Sequence, residues 1–538
     1  MTTPSRRTFI AGLLVAVGCA TARPATPSAP AAAPTPSPAP AAQRASSAAV
    51  VSPAVTLRAG IDSLVSASEF RNANWGILIV DPDRGDTLYS LHAGKLFMPA
   101  SNMKVVTGSV ALAQLGPEFR FRTTFAATGA VCGGTLHGDL VIDGRGDPTV
   151  SDAMRGDAMG PLRDMADSLR AHGIRRIAGR VTAGDDAFPG PTLGYGWSWD
   201  DLGASYSAGV DELFFNEGAA RVIVSGARRP GGRVTASVLP TARYPSLHIA
   251  ARTAYAPESL AVAAGSGGRR AVAATHADLA LVLDTAAHTL SLTGWIAPGI
   301  VDTMDIVYPD QDTAYLSALR GALVERGVSV QNRAARLGTC RGAAAHASLD
   351  TLFVYQSLPL RDVLRAMAKP SQNQIAEILL RTIGLERAGS GTPDSGSAVV
   401  SRQLLAWGVQ PDGYVLRDGS GLSRYDYLSP ETLVHVLAAI RHDTAFSAFY
   451  DALPIAGVDG TIENRMRGTP AQGNVHAKTG FVANARSLSG YVTTADGHVL
   501  IFSTLCNNWT APVRDVERVQ DDIAVWLASI HLNGDGGR

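Results

Sequence analysis

Ser101 and Lys104 stand one helical turn apart in Pro99-Ala100-Ser101-Asn102-Met103-Lys104, a spacing suited to nucleophilic chemistry. At a helix start, positions i and i+3 share a face, so the lysine Nζ can reach the serine Oγ. A serine hydroxyl attacks poorly until a neighbouring base takes its proton. Lysine serves as that base only where burial or nearby positive charge lowers its pKa from about 10.4. The backbone N–H groups of a helix N-terminus add a place for an oxyanion. The motif alone arises often by chance, and lysine usage gives it weight. Of the 47 basic residues only Lys95, Lys104, Lys369 and Lys478 are lysines; the rest are arginines. Arginine holds its proton at any ordinary pH, whereas a buried lysine can release it. Four survivors of a coding bias would not gather on one catalytic pattern, and three of these do.

Two further motifs complete that pattern. Ser371-Gln372-Asn373 follows Lys369 by two residues; its hydroxyl can relay a proton and its amide can hold Lys104 or a substrate carbonyl. The plain alternative for Ser371 is a helix N-cap. In Lys478-Thr479-Gly480 the first two side chains can bind a carboxylate, and Gly480 leaves room for a peptide alongside. Taken together and in this order, the three point to serine acyl transfer.

The elements that must position them read as follows. Val55–Ser68 has the pattern of an amphipathic helix. Trp75–Asp81 and Asp86–Leu91 read as a hairpin around Pro82-Asp83-Arg84-Gly85, and a helix runs from Ser101 to Leu115 before Gly116-Pro117. From about Glu118 short strands alternate with Gly-rich turns, at Phe121–Ala127, Leu136–Ile142, Arg180–Ala183 and Arg221–Val224, interrupted by helices at Gly160–His172 and Thr313–Arg326. Helical texture returns over Leu360–Ile383, Val499–Leu505 reads as a strand and Val513–Ile530 as the last helix. This is one catalytic domain in two pieces, 55–117 and 346–532, split by a β-rich insertion over 118–345 and followed by a tail, 533–538.

Composition excludes other classes. With 47 basic and 47 acidic residues there is no basic stripe for nucleic acid. The histidines show no metal-ligand pattern, so neither a metal nor a cofactor is expected. Residues 1–19 read as an export signal: Arg6-Arg7, a short apolar run, and Cys19 after Gly18 as at a lipoprotein cleavage site, although Ala16 stands where leucine is usual. Residues 20–54 are Ala-, Pro-, Thr- and Ser-rich, a disordered tether. The expected location is the periplasm or cell envelope, with membrane contact only through a lipid on Cys19. Cys132, Cys340 and Cys506 are scattered, and buried free thiols are the default reading.

The three motifs match the signature of penicillin-binding proteins and class A β-lactamases. Finer segments narrow this: Pro99–Thr107, Gly144-Arg145-Gly146-Asp147-Pro148-Thr149, Trp197-Ser198-Trp199-Asp200-Asp201, Asp418-Gly419-Ser420-Gly421-Leu422-Ser423-Arg424 and Leu453–Thr461. In these the chain resembles the D-alanyl-D-alanine carboxypeptidase/endopeptidases, the low-molecular-mass class C penicillin-binding proteins. The resemblance implies an α/β (α+β) transpeptidase/β-lactamase-like catalytic domain, an antiparallel sheet flanked by helices, with an inserted domain carrying a smaller third one. It implies peptidoglycan stem peptides as substrate and β-lactams as covalent inhibitors. Ser101 would be the nucleophile, Lys104 its base, Ser371 and Asn373 the relay and clamp, and Lys478, Thr479 and Gly480 the carboxylate strand. The N–H groups of Ser101 and Phe481 would form the oxyanion hole. Arg424 matches a cleft arginine, and Asp185 with Phe188 beside it matches the inserted-domain aspartate that meets the diamino acid. Asp147 would shape a turn, and Asp200 and Asp201 would hold the insertion together. Two departures stand out: Gln372 replaces the usual Asp, and Phe481 replaces a Thr or Ser. The competing readings are a β-lactamase or esterase with the same motifs, and a wall-binding protein without activity.

Overall fold

The computed structural model describes residues 53–241, 244–255, 276–284, 289–331 and 349–533. The export signal, Cys19, nearly all of the tether, Cys340 and the last five residues lie outside this set.

The catalytic sheet is built from both ends of the chain. Strands β1 (Asn74–Asp81) and β2 (Asp86–Leu91) form the expected hairpin, its turn held by Asp81, whose Oδ1 accepts the N–H groups of Asp83 and Arg84 at 3.0 and 3.1 Å. Three late strands, β3 (His476–Val482), β4 (Ala485–Thr493) and β5 (Val499–Asn507), complete an antiparallel sheet in the order β2-β1-β5-β4-β3. Side chains alternate across it. Ile77, Ile79, Leu500 and Phe502 face the terminal helices α1 (Pro53–Val65) and α7 (Val513–Ser529) in one core, which contains Leu57, Ile61, Val519 and Ile523. Leu78, Ile501 and Leu505 face a second core with helix α2 (Met103–Leu115).

Helical texture over Leu360–Ile383 resolves into two helices, α3 (Leu360–Ala368) and α4 (Asn373–Ala388). The break between them has a cause: Ser371 adopts φ +67°, outside the helical region. The cap of α4 is Gln372, whose Oε1 accepts the N–H groups of Gln374 at 2.7 Å and Ile375 at 3.4 Å. The capping role weighed for Ser371 therefore belongs to its neighbour, and Ser371 Oγ is free for other work.

Between the two pieces the chain builds further sheets around their own core, which includes Leu162, Leu169, Val222, Leu292 and Leu319. The expected helices appear at Met159–Ala171 and Gln311–Glu325. The span read as one strand, Leu136–Ile142, is two, Thr135–Leu136 and Leu140–Asp143, and these join different sheets. The strand Arg122–Ala127, on which the chain leaves the catalytic helices, pairs antiparallel with Asp350–Gln356, on which it returns. That return strand pairs with the inserted sheets, and the helices of the second piece begin at Leu360, where helical texture was expected. Cys132 is disulfide-bonded rather than free, whereas Cys506 is a buried free thiol.

Candidate active site

Ser101 lies in a 3-10 turn, Ala100–Asn102, that leads into α2. The turn is pinned from two sides. Gly480 on β3 is so close that a Cβ there would sit 2.6 Å from Pro99 O and 2.9 Å from Ser101 N. Gly421, at φ +80°, lies against Ala100 O with no room for a Cβ. The absent side chain of Gly480 thus admits the nucleophile's own turn, a closer neighbour than the peptide expected there. Asn102 Nδ2 donates to Lys478 O at 2.9 Å and ties the turn to the strand. The N–H of Ala477 leaves the sheet for Pro454 O. By the two-residue period of a strand, Phe481 N–H points to the same free edge.

Lys104 is 1% exposed and its Nζ has three partners: Ser101 Oγ at 2.9 Å, Asn373 Oδ1 at 2.6 Å and Ser420 O at 2.9 Å. Burial pulls its pKa down to about 7 against the opposing pull of Asp418 and Glu377. A void of about 10 Å³ beside Lys104 and Lys478, lined by Leu364, Met367, Phe449 and Leu453 among others, is barely the size of one water. The base is therefore buried, aligned and able to lose its proton near neutrality.

Lys478 completes the second half. Its Nζ donates to Ser371 Oγ and to Thr479 O, both at 2.8 Å. Burial, and then repulsion from Lys104, lower its pKa well below the ordinary lysine value. Two buried amines without carboxylates in contact favour a visiting anion. Thr479 Oγ1 shares a 2.6 Å hydrogen bond with Thr461 Oγ1.

A buried acidic frame holds this arrangement, and most of it escapes motif reading. Asp418 accepts the N–H groups of Ser420 at 3.0 Å, Gly421 at 2.6 Å and Ser423 at 2.7 Å, and the indole N–H of Trp197 at 2.9 Å. Glu377, one turn beyond Asn373 on α4, accepts from Gly419 at 3.1 Å and Ser420 at 2.9 Å. Together they aim Ser420 O at Lys104. The only sequence signal for Glu377 was its i+4 spacing from Asn373. Lys369 serves the frame too: its Nζ pairs with Asp459 at 2.8 Å and its carbonyl accepts Thr461 N–H at 3.1 Å. Lys95 is exposed, away from the chemistry.

A cleft of about 640 Å³ opens over Ser101, lined by Ser371, Asn373, Thr479, Phe481, Arg424, Asp200, Asp201 and Tyr206 among others. Phe481 is 54% exposed, with the Arg486 guanidinium 4.7 Å from its ring centre. Arg424 donates to Ala483 O at 3.0 Å. Asp185 and Phe188 are elsewhere. Asp185 forms a two-pronged pair with Arg145 at 2.9 and 3.2 Å, and Phe188 is 2% exposed in the core beneath α4. Neither lines the cleft. Acidic groups of the insertion do reach it, as Asp200 and Asp201, the second accepting Tyr206 O–H at 2.6 Å. Asp147 does shape its turn, accepting Thr149 N–H at 2.8 Å.

Comparison with known proteins agrees with this geometry. The family model for D-Ala-D-Ala carboxypeptidase 3 (S13) matches residues 57–530. A D-alanyl-D-alanine carboxypeptidase of Actinomadura sp. (strain R39) is 33% identical over 494 residues, 90% of this chain and 86% of that one. The crystal structure of penicillin binding protein 4 from Haemophilus influenzae superposes with a TM-score of 0.71 at 22% identity, covering 87% of this chain and 99% of that one. A second structure of that protein, complexed with a β-lactam, gives 0.68 at 22% identity over 88% and 100%. These structures share the transpeptidase-like fold with its antiparallel sheet and helices. With its three motifs gathered around one buried lysine, the chain belongs to the D-Ala-D-Ala carboxypeptidase 3 (S13) family.

Proposed function

We propose that this chain is a serine-type D-Ala-D-Ala carboxypeptidase that acts on peptidoglycan stem peptides through an acyl-enzyme on Ser101 and is blocked there by β-lactams. The observation that carries the reading is the three-way contact of the buried Lys104 Nζ, which places a base on Ser101 Oγ at the floor of the cleft.

The mechanism follows from the contacts. Lys104, neutral in a useful fraction of molecules near pH 7, takes the proton of Ser101 Oγ as it attacks the D-Ala carbonyl. The N–H groups of Ser101 and Phe481 receive the developing oxyanion. Lys478 and Thr479 hold the terminal carboxylate, and the Ser371 hydroxyl, hydrogen-bonded to Lys478, relays the proton that Lys104 took to the leaving amine, which leaves Lys104 neutral again. Water then cleaves the ester with Lys104 again as base. Asp200 and Asp201, which line the cleft, supply the negative charge that a diamino-acid amine would meet, whereas Asp185 is paired with Arg145.

Mass spectrometry after penicillin treatment tests this: one adduct on the Ser101 peptide, lasting for hours and absent in Ser101→Ala. A lifetime of milliseconds would turn the assignment to a β-lactamase, and no adduct would leave a wall-binding protein. For location, we propose export to the cell envelope with a lipid on Cys19. Cys19→Ser should then shift the protein from the membrane fraction to the soluble one, and a wild-type protein already soluble removes the lipid.

A further inference from the structure

Away from the cleft, carboxylates from three segments of the insertion converge. Single oxygens of Asp186, Asp211 and Glu212 lie within 4.8 Å of one another. Asp312, in the first turn of the helix Gln311–Glu325, adds its charge to Asp211 and Asp186. None of these residues lines the cleft over Ser101. The basic group acting on the cluster is Arg381 of α4, and its guanidinium donates to Phe188 O and Pro191 O. One guanidinium, used in that way, does not neutralise four carboxylates.

Clustered surface acids alone would mean little, but here one is buried. Glu212 is 5% exposed, and its Oε2 has no hydrogen-bond partner. Oδ1 of Asp312 is buried without a partner as well. A buried carboxylate oxygen left unpartnered destabilises the fold unless a proton or cation meets it. The backbone here is fixed for other reasons. Gly146 N–H donates to Glu212 O at 2.8 Å, and a Cβ on Gly144 would collide with that same carbonyl. The chain thus holds Glu212 in place, pointing at like charges.

We propose that Asp186, Asp211 and Glu212, with Asp312 beside them, bind a hard divalent cation of the calcium class. Oxygens within 4.8 Å of one another suit a common ion about 2.3–2.6 Å from each. The ligand set is all oxygen, without His or Cys, which disfavours zinc and copper. Such an ion would join the 184–188 loop, the 211–212 segment and the start of the Gln311 helix. It would sit where Arg381 anchors that loop to α4, the helix that begins with Asn373. Its role is to brace the insertion against the catalytic helix, with no part in the chemistry.

The test is thermal unfolding and calorimetry of the EDTA-treated full-length protein titrated with CaCl₂, with KCl matching the ionic strength. Wild type should gain a few degrees in Tm, rising with the logarithm of calcium concentration, since the ion binds the folded state alone. Glu212→Gln and Asp211→Asn should weaken binding at least tenfold. Should either fail to fold, the exposed Asp186→Asn should still weaken it severalfold. A wild type indifferent to calcium overturns the proposal, and the carboxylates then share protons, so that Glu212→Gln raises Tm at neutral pH. A calcium response retained in all three variants also overturns it, because the ion then binds elsewhere.

Discussion

Replacing Lys104 by arginine keeps the charge, roughly keeps the length and removes the base. Its expected cost can be worked from the site. With Nζ titrating at about 7 rather than about 10.4, roughly half the molecules hold a neutral amine at pH 7, against about four in ten thousand for an unperturbed lysine. The buried setting thus contributes on the order of 10³ in competent base, within the usual range of about 10²–10⁴ for general base catalysis. Arginine, with a pKa above about 12, forfeits that factor. The assay is the pseudo-first-order rate of labelling by a fluorescent penicillin from pH 5.5 to 9. The neutral form of Lys104 is the active one, so the wild-type rate should rise about tenfold per pH unit below 7 and level off above it. Lys104→Arg should label about 10³-fold more slowly and without that inflection, at a Tm showing that it is folded. Acylation within tenfold of wild type, or a wild-type rate still climbing at pH 9, would refute the assignment of Lys104 as the base.

Three other expectations concern the walls of the site. Gly421→Ala forces a Cβ onto Ala100 O at φ +80°, whereas Gly85→Ala, at φ +72° with nothing within 4 Å, meets only the backbone cost of about 1 kcal/mol. The first should lose both Tm and penicillin labelling and the second only a little Tm; equal losses in both would mean that the Gly421 contact does not position Ser101. Phe481→Thr restores a hydroxyl beside the carboxylate strand, worth roughly 1.5–3 kcal/mol to a charged partner, and should raise pentapeptide turnover relative to cleavage of cross-linked dimers; an unchanged ratio of the two activities counts against it. Asp201→Asn should raise KM for stem peptides with a free side-chain amine and leave acylation by simple penicillins intact, whereas Asp185→Asn should do neither; the reverse pattern would return the amine contact to Asp185.

What was legible in the sequence was chemistry close in the chain. Ser101 and Lys104 are bound by helical spacing, and the hairpin of Asn74–Leu91 by alternation and a turn. Pro370 marks a break near Ser371, but which residue caps the next helix and which turns out of it is not written in the local sequence. At its positive φ Ser371 accepts a hydrogen bond from Lys478, which lies more than a hundred residues away. Phe188 was misread for a related reason: an aromatic near an acidic motif looks the same whether it faces a ligand or a core. Glu377 and Asp418 carried no sign of their joint task. Two carboxylates aiming one carbonyl at a lysine form a relation between loops, and no local pattern records it. The unlike fates of Cys132 and Cys506 are equally three-dimensional.

The pairing of β1 with β5 joins Trp75 to Cys506 and Ile77 to Thr504, and helices α1 and α7 close over the same face. Contacts of such sequence separation cannot form until nearly the whole chain has been synthesised. At about 5–20 residues per second the first hairpin waits tens of seconds for its partner strand. Over that interval Ile77, Ile79 and Phe70 have no cover, while the inserted sheets, local in sequence, can already condense. The nucleophile turn, clamped between β3 and the Asp418 loop, is then among the last parts to take shape. A chain stalled before Val499 accordingly has Ser101 and Lys104 but lacks the central strand of the sheet that holds them.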